Sequence, residues 1–342
     1  MRKITQKITI KDIAQLCKVS TQTVSRVMNK KPDVAPETRA LVEKKIQELG
    51  YRPSLLARSL VNQRSYTIGV ILAGLKYIGV SLTLNGIAEE CENSGYSLVI
   101  KELPTFDTRD IVPVIESLIA HQVEGIIFAA PELNDNIRIA QSQLPNSCPP
   151  IIFLKTQPHP NYPTISIDNY GGAFRAVDYL ISLGRREVGL ITGPLDWLES
   201  RQRKQGWFDA LTSNRITPSE DHWIEGNWSP SSGENAFSDL INKFPDLNAV
   251  FVSNDQMALG VLHYANSHTI KIPADIAVIG FDDISEAAYF SPSLTTVTHP
   301  LRELGIQSVI TLLKQIENPG NLTLQQNITL QTKLILRDST PK

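Results

Sequence analysis

The sequence predicts an α/β protein in which a three-helix, helix-turn-helix domain at the amino terminus precedes two α/β lobes. Three observations indicate this fold class. Apolar residues recur at helical spacing through the first 50 residues. Short runs rich in Val and Ile alternate with amphipathic stretches after residue 65, which is typical of βαβ units. The segment 65–342 has the length of two lobes rather than one.

The first two predicted helices are separated by a tight turn. Thr9 is placed to cap the first helix, and Asp12 three positions later approximates a capping box. Ser20 is placed to cap the second helix directly after the turn. The apolar stripe of the first helix consists of Ile10, Ile13, Ala14 and Cys17. Two short helices joined in this way are typical of a helix-turn-helix motif.

The second helix has one apolar face and one polar face. Val24, Val27 and Met28 lie at spacings of three and four residues, so together they can be buried. The outward face then consists of Thr21, Gln22, Ser25 and Arg26. Gln bonds to adenine and Arg to guanine in the major groove, and small hydroxyls reach base edges or phosphates. This face is therefore a candidate for reading DNA.

A third helix follows, with Pro36 at its first turn and Gly50 at its end. Its predicted inner face consists of Leu41, Val42, Ile46 and Leu49. Ala35 precedes it where a capping Ser is expected, a loss of about 1 kcal/mol. The alternative interpretation of these 50 residues is a generic three-helix bundle whose second helix happens to be polar outside.

Charge is divided unevenly along the chain. Residues 1–64 contain 14 lysines and arginines and five aspartates and glutamates, whereas residues 65–342 contain 19 and 30. A basic segment attached to an acidic body is the charge distribution expected of a protein in which one domain binds the phosphates of a nucleic acid and the other does not. The division therefore favours DNA binding over the generic bundle.

The body contains eight short apolar runs that we interpret as strands of parallel sheets. They are Thr67–Leu72, Ser97–Ile100, Gly125–Ala129, Ile151–Leu154, Thr164–Ile167, Val188–Ile191, Ala249–Val252 and Ile276–Ile279. Amphipathic stretches such as 110–121 and 173–183 separate them. Ligands of open parallel sheets bind beyond the carboxyl ends of the strands, so the residues after each run are candidate ligand contacts.

Polar residues follow three of these runs. Arg201, Asn254 and Asp282 could converge on a polyhydroxylated molecule, with Arg donating to hydroxyls and Asp accepting from them. Trp228 and Tyr77 could supply a flat wall against a sugar ring. The alternative for Asn254, Asp255, Asp282 and Asp283 is helix capping, and for Arg201 a surface ion pair. We interpret Asp168 as a cap.

The sequence contains no pattern typical of a disulfide framework, a metal site, a signal peptide or a membrane span. Cys17, Cys91 and Cys148 fit neither a disulfide framework nor a zinc site, and the six histidines lack metal spacing, so we expect no metal or cofactor. We interpret His121 and His299 as structural residues. The start of the chain lacks a signal-peptide core, and no run has the length of a membrane span, so we expect a cytoplasmic protein with no membrane partner.

The sequence resembles the lactose and galactose repressor (LacI/GalR) family of bacterial regulators. The resemblance is carried by the segments 9–14, 19–29, 50–53, 57–60, 253–260, 279–283 and 294–297. It implies a periplasmic-binding-protein-like body and adds Thr23 and Asn29 to the predicted DNA contacts. It also implies that 53–62 is a hinge helix that orders on operator DNA, in which Leu60 enters the minor groove beside the small residue Ala57. Without the resemblance, so short a segment favours an ordinary linker whose leucines pack on the main body.

The resemblance also assigns ligand contacts in the body. It implies that Arg201, Asn254 and Asp282 contact the effector and that Trp228 is the aromatic residue of the pocket. Lys155 stands where sugar-binding members can carry an acidic residue, so it is a further candidate contact and could favour a carboxylate or phosphate. The tail ends without a leucine heptad, so a homodimer is the implied assembly.

These observations predict a DNA-binding transcriptional regulator, a repressor, whose affinity for a dyad-symmetric operator is set by a sugar-like small molecule. The predicted domains are 1–52 for DNA binding, 53–64 for the hinge and 65–342 for effector binding. The first lobe is expected at 65–166 and 298–326 and the second at 167–297 and 327–342. The alternatives are a periplasmic-type solute-binding protein and an enzyme acting on a sugar, for which the adjacent Asp282 and Asp283 are the candidate carboxylates.

Overall fold

The computed structural model describes residues 8–28, 31–51, 63–134, 136–319 and 327–341. The chain divides into two compact units, Met1–Ser65 and Tyr66–Lys342. Asn29, Ala57 and Leu60, three of the predicted DNA contacts, lie outside the described residues.

The first unit contains the three predicted helices, Ile10–Leu16, Thr21–Met28 and Pro36–Glu48. The capping box of Thr9 and Asp12 is confirmed, because each side chain bonds to the backbone N–H of the other residue. Ser20 caps the second helix through a 3.0 Å bond from the Thr23 N–H. Gly50, with φ +58°, follows the end of the third helix.

The core of this unit collects the apolar faces of all three helices. Its buried members are Ile13, Ala14, Cys17, Val24, Val27, Val34 and Val42. The prediction for Leu41 is wrong, since this residue is 44% exposed. Val42, Ile46 and Leu49, spaced by four and three residues, form the inner stripe of the third helix, and Leu41 lies a helical step of about 100° outside it.

In the second unit, the first lobe is a parallel six-stranded sheet flanked by helices. Its strands are, in spatial order, Ile328–Leu330, Thr164–Ile167, Ile151–Leu154, Gly125–Phe128, Thr67–Ala73 and Ser97–Leu103. Its helices are Ile78–Asn93, Val112–Ala120, Asn136–Ser142 and Leu301–Glu317.

The second lobe has the same architecture. Its strands are, in spatial order, Leu334–Ile335, Thr295–Thr298, Ala277–Asp282, Ala249–Val252, Val188–Thr192 and Trp223–Glu225. Only the first of these runs antiparallel to its neighbour. The helices of the lobe are Asn169–Ser182, Leu198–Ser213, Pro230–Lys243 and Asp255–Ser267, with 3₁₀ turns at Glu220–His222 and Ser285–Tyr289.

All eight apolar runs form strands, because each sheet is covered by helices on both faces and so buries consecutive residues. In the first lobe, Val70 contributes to the core on one face and Ile71 to the core on the other. Val250 and Phe251 divide in the same way in the second lobe.

The chain passes three times between the lobes, near residues 168, 299 and 331–333. The third passage differs from the prediction, because Ile328–Leu330 pairs with Ile165–Ile167 and therefore belongs to the first lobe. Its alternating Ile-Thr-Leu pattern suits the edge position of that sheet.

In the part of the chain that the structure describes, no helix is long and apolar enough to cross a membrane. The same residues contain no cluster of His, Cys, Asp and Glu that could hold a metal ion.

Candidate functional site

The polar face of the helix Thr21–Met28 is the first candidate site. Val24 and Val27 are buried, with 0% and 2% exposure, which turns Thr21, Gln22 and Arg26 to the outside. Ser25 is half-buried beside them. The predicted face is therefore present.

Thr23 and Arg26, two of the predicted DNA contacts, interact with other side chains of the unit. The Thr23 hydroxyl lies 2.9 Å from the Ser20 hydroxyl, so Thr23 contributes to the cap as well as to the predicted contact set. The Arg26 guanidinium lies 3.2 Å from the Asp33 carboxylate, and both side chains are about half exposed. The first turn contains no acidic residue, so the partial positive charge of the helix terminus is not offset there.

The second candidate site is a cavity between the two lobes of the second unit, at the carboxyl ends of their strands. Its volume is about 60 Å³. The first lobe lines it with Tyr77, Ile78, Gly79, Val80, Pro131 and Lys155. The second lobe and the crossover after it contribute Trp197, Glu199, Arg203, Trp228, Asn254, Gln256, Asp282 and His299. A larger surface depression of about 450 Å³ near Pro145 and Pro319 has no charged residue among the described residues of its lining.

Five of the six predicted effector contacts line the cavity, namely Tyr77, Lys155, Trp228, Asn254 and Asp282. The structure does not bring Arg201 there. Its guanidinium donates to the carbonyl oxygens of Leu195 and Asp196, at 3.0 and 2.8 Å, and so fixes the preceding loop. Arg203, two residues later, supplies the cationic side chain of the cavity.

Arg203 is buried, with 2% exposure, and is held from several directions. Its Nε donates to the Asn169 side chain at 2.9 Å, and its Nη1 donates to the Ser253 carbonyl. The guanidinium lies 3.8 Å from the centroid of the Phe281 ring and 3.9 Å from Asp282. Burial lowers the pKa of the guanidinium, and the Asp282 carboxylate opposes that shift.

Asp282 ends its strand in a left-handed backbone conformation, with φ +118°. Its Oδ1 accepts a 3.0 Å bond from His299 Nδ1. Burial lowers the pKa of His299, so the ring is neutral at pH 7 and its Nε2 carries a lone pair. Asp283 lies elsewhere, paired with Arg337 at 2.7 Å, and the two adjacent carboxylates therefore do not face one point.

Asn254 has two roles. Its Oδ1 accepts from the Met257 N–H at 2.9 Å, which confirms it as a helix cap. Its Nδ2 donates to the Trp228 carbonyl at 3.0 Å, and this bond supports the aromatic wall of the cavity. Asp255 is buried instead behind the site, where it accepts from Thr296 and from the Ile284 N–H. Burial raises its pKa well above the usual value.

Aromatic rings close one side of the cavity. Trp197 lies 4.8 Å from Phe106, 6.1 Å from Tyr77 and 5.7 Å from Trp228, measured between ring centroids. Backbone bonds join the lobes beside this cluster, from Leu198 N–H to the Glu132 carbonyl at 3.0 Å and from Asn134 N–H to Asp196 at 3.2 Å. The two lobes are therefore in direct contact at this edge.

Several polar atoms of the cavity have no hydrogen-bond partner within the described residues. They include Trp228 Nε1, Glu199 Oε1 and His299 Nε2. Lys155, 7% exposed, donates to the Gly79 carbonyl at 3.3 Å and to no other acceptor in the described part of the chain. A ligand that offers both hydrogen-bond donors and acceptors would satisfy these groups.

Sequence reasoning missed Arg203, Glu199, Trp197 and His299. A signal was available for Arg203, because it lies four residues before the buried Trp207 and so shares its helix face. Glu199 lies four residues before Arg203 on the same face. His299 had no such signal, since only the passage of the chain between the lobes places it in the cavity.

The other cap predictions and His121 agree with the structure. Asp168 caps its helix by accepting from the Gly171 N–H at 2.8 Å, and Ala35 makes no side-chain cap. His121 lies outside the cavity, with Nδ1 on the Ser117 carbonyl.

Comparison with known proteins matches both units. Residues 9–54 match the family described as bacterial regulatory proteins, lacI family, and residues 177–340 match a periplasmic binding protein-like domain. The HTH-type transcriptional repressor PurR of Proteus mirabilis (strain HI4320) is 32% identical over 97% of this chain and 96% of its own length. The ribose operon repressor of Escherichia coli (strain K12) is 33% identical over 96% of this chain and 98% of its own.

A solved structure of the lac repressor dimer bound to operator and the anti-inducer ONPF is similar throughout. Its TM-score is 0.81 at 30% identity, with 98% of this chain and 99% of that chain covered. These relatives are transcriptional repressors rather than enzymes. The chain therefore belongs to the lacI family of bacterial regulatory proteins and is a DNA-binding transcriptional regulator with a periplasmic-binding-protein-like ligand domain.

Proposed function

We propose that this protein represses transcription by binding, as a homodimer, to an operator with dyad symmetry, and that a sugar-like effector in the cavity sets its operator affinity. The observation that carries the proposal is the exposed Thr21–Gln22–Arg26 face on a capped helix, within a chain whose similarity to repressors extends over its full length. The basic composition of residues 1–64 supports it.

Gln22 and Arg26 are the residues proposed to read bases, Gln22 at adenine and Arg26 at guanine. Thr21, Thr23, Ser25 and Asn29 are proposed to contact base edges or phosphates. Arg26 is held beside Asp33 in the free protein, and a guanine or phosphate would replace this exposed carboxylate as its partner.

The effector is proposed to bind between the lobes. Arg203, Asn254 and Asp282 present rigidly held donors and acceptors, and Trp228 presents a flat ring, which is the combination that binds a sugar. The relatives named for the ribose and lactose operons support a sugar or sugar derivative. We assign to Arg203, which lines the cavity, the effector contact that was expected of Arg201.

The size of the cavity supports the coupling of effector and operator. About 60 Å³ is far below the roughly 300 to 1,000 Å³ of ligand pockets, so an effector fits only when the lobes or the Trp197 cluster move apart. A ligand that binds one arrangement of the lobes shifts the population towards it. In a homodimer this shift would change whether two hinge segments, with Ala57 and Leu60, can meet on DNA.

Binding without chemical turnover is the proposed role of the cavity. Asp282 is paired with Arg203 and His299, and Asp283 with Arg337, so these two adjacent carboxylates do not form a free pair for acid-base catalysis. Incubation with a panel of sugars should yield no product, and any turnover would contradict this part of the proposal.

The testing experiment is a titration of dyad-symmetric fragments from the promoter next to the gene, with scrambled fragments as controls. We expect binding to one symmetric fragment to be at least about 10³-fold tighter than to scrambled DNA at physiological salt. One sugar of the panel should change that affinity. Equal affinity for all fragments would refute the proposed function.

A further inference from the structure

Two opposite charges face each other across the cavity without forming an ion pair. Lys155 follows the strand Ile151–Leu154 of the first lobe, and Glu199 lies in the first turn of the helix Leu198–Ser213 of the second. Both are buried, at 7% and 8% exposure. Within the described residues neither side chain has an oppositely charged group within 4.0 Å.

The other charges of the cavity are already neutralised. Arg203 and Asp282 lie 3.9 Å apart, and Asp282 also accepts from a neutral His299. The ammonium of Lys155 has a single 3.3 Å bond to the Gly79 carbonyl, and Glu199 Oε1 has no partner in the described chain. Glu199 also attracts Arg203 one turn later on its own helix, but Arg203 lies within 4.0 Å of Asp282 and not of Glu199. Within the described residues, Lys155 and Glu199 are therefore the charged groups of the cavity lining that form no ion pair.

Burial raises the free energy of each of these charges. It also lets the two charges attract each other over a longer distance than in water. Removing an ion from water costs several kcal/mol, which only an opposite charge or strong hydrogen bonds offset. Coulomb attraction acts over more than 4 Å where water is excluded. Burial lowers the pKa of Lys155, and the Glu199 carboxylate is the largest influence that opposes this shift.

We infer that Lys155 and Glu199 form a charge pair across the cleft. Because the two charges together sum to zero, this pair selects an uncharged, polyhydroxylated effector and rejects acids and amines. This inference rests on the proposed function and adds the chemical class of its effector. A hydroxyl can accept from Lys155 while another donates to Glu199, which completes the hydrogen bonding and keeps the cavity neutral. An acidic ligand would leave a net negative charge beside Glu199, and an amine a net positive charge beside Lys155.

The first test is a double-mutant cycle in the unliganded full chain. Lys155→Met leaves the Glu199 carboxylate uncompensated, and Glu199→Gln leaves the ammonium uncompensated, so each should lower the Tm by at least about 4 °C. The double variant lacks both charges and should recover most of this loss. Lys243→Met, at an exposed lysine of the second lobe outside the cavity lining, is the control and should change the Tm by less than about 2 °C. Additive losses in the double variant would overturn the inference.

The second test measures ligand selection by calorimetric titration with D-glucose and D-galactose, their uronic acids and their 2-amino derivatives. The wild-type protein should bind at least one parent sugar about tenfold or more tightly than its acid and its amine. Glu199→Gln, which has the same shape as the native residue, should shift the preference towards the acid, and Lys155→Met towards the amine. Tighter binding of an acid or amine than of the parent sugar by the wild-type protein would overturn the inference.

The outcomes separate this inference from the proposed function. Operator binding that responds to an acidic ligand would leave the repressor function intact and refute the selection of uncharged effectors. If no member of this panel binds, the double-mutant cycle decides whether the charges are coupled. Absence of sequence-specific DNA binding would refute the proposed function even if the cycle shows coupling.

Discussion

Replacing Arg203 by Gln tests whether this residue holds the lining of the cavity together. The guanidinium joins Asn169, Ser253 and Asp282 and packs on the Phe281 ring. Gln is too short to reach all of these partners, and it leaves Asp282 buried without its cation. Breaking a buried pair in this way costs about 3 to 5 kcal/mol.

The matched control is Arg201→Gln, two residues earlier on the same helix. Arg201 bonds to two backbone carbonyls at the partly exposed end of the loop, so its loss should cost about 1 kcal/mol. At about 2 to 4 °C per kcal/mol, the Arg203 variant should lose about 10 °C in Tm and the control about 3 °C.

Differential scanning calorimetry of the unliganded full chains measures the two losses of Tm. Titration with the effector of the wild-type protein measures effector binding by each variant. Arg203→Gln should abolish detectable effector binding, whereas Arg201→Gln should retain it. Equal Tm losses, or a loss of effector binding in the Arg201 variant alone, would refute the placement of Arg203 in the cavity.

Four further predictions follow from the same contacts. Gln22→Ala should weaken operator binding by about 1 to 3 kcal/mol and leave binding to random DNA unchanged, measured by fluorescence anisotropy on both DNAs. Leu60→Gly should lower operator affinity without changing base preference, and undiminished affinity would count against the hinge role. Gly193→Ala places a Cβ inside van der Waals contact distance of the Trp228 ring and should weaken effector binding by about 1 to 3 kcal/mol, whereas unchanged affinity would show that this ring is not a contact. The pKa of His299 in the folded chain lies below its usual 6.5, because burial disfavours the protonated ring. The neutral ring therefore stabilises the fold above pH 6.5, and this stabilisation declines as the pH falls below that value. His299→Asn removes the titrating ring and should lose less Tm between about pH 6.5 and about pH 5 than the wild-type protein does.

The fold could be predicted where a residue's environment follows from its neighbours in sequence. The runs Ile151–Leu154, Thr164–Ile167 and Ala249–Val252 form strands with the predicted bounds, because both sheet faces are covered and every residue is apolar or small. Short edge strands such as Trp223–Glu225 and Leu334–Ile335 were missed, since they are three and two residues long and none of their residues is fully buried.

The site could be predicted in part for the same reason. Asn254 and Asp282 follow strands, and the carboxyl ends of parallel strands meet at one edge of the sheet. Arg201 was chosen through the family resemblance, but Glu199 and Arg203, four residues apart, form the side of the helix that lines the cavity. Arg201 is two residues from each of them and therefore lies about 200° away around the helix. His299 and the opposition of Lys155 to Glu199 depend on how the two lobes meet, which no local pattern encodes.

The measurement that tests the central claim most directly is the affinity of the full chain for its symmetric promoter fragment, determined with and without the effector. We predict tight binding to the symmetric fragment, at least about 10³-fold weaker binding to scrambled DNA, and a change of about 5- to 150-fold in operator affinity when the effector is added. The same affinity for symmetric and scrambled DNA, unchanged by every small molecule that raises the Tm, would contradict the account.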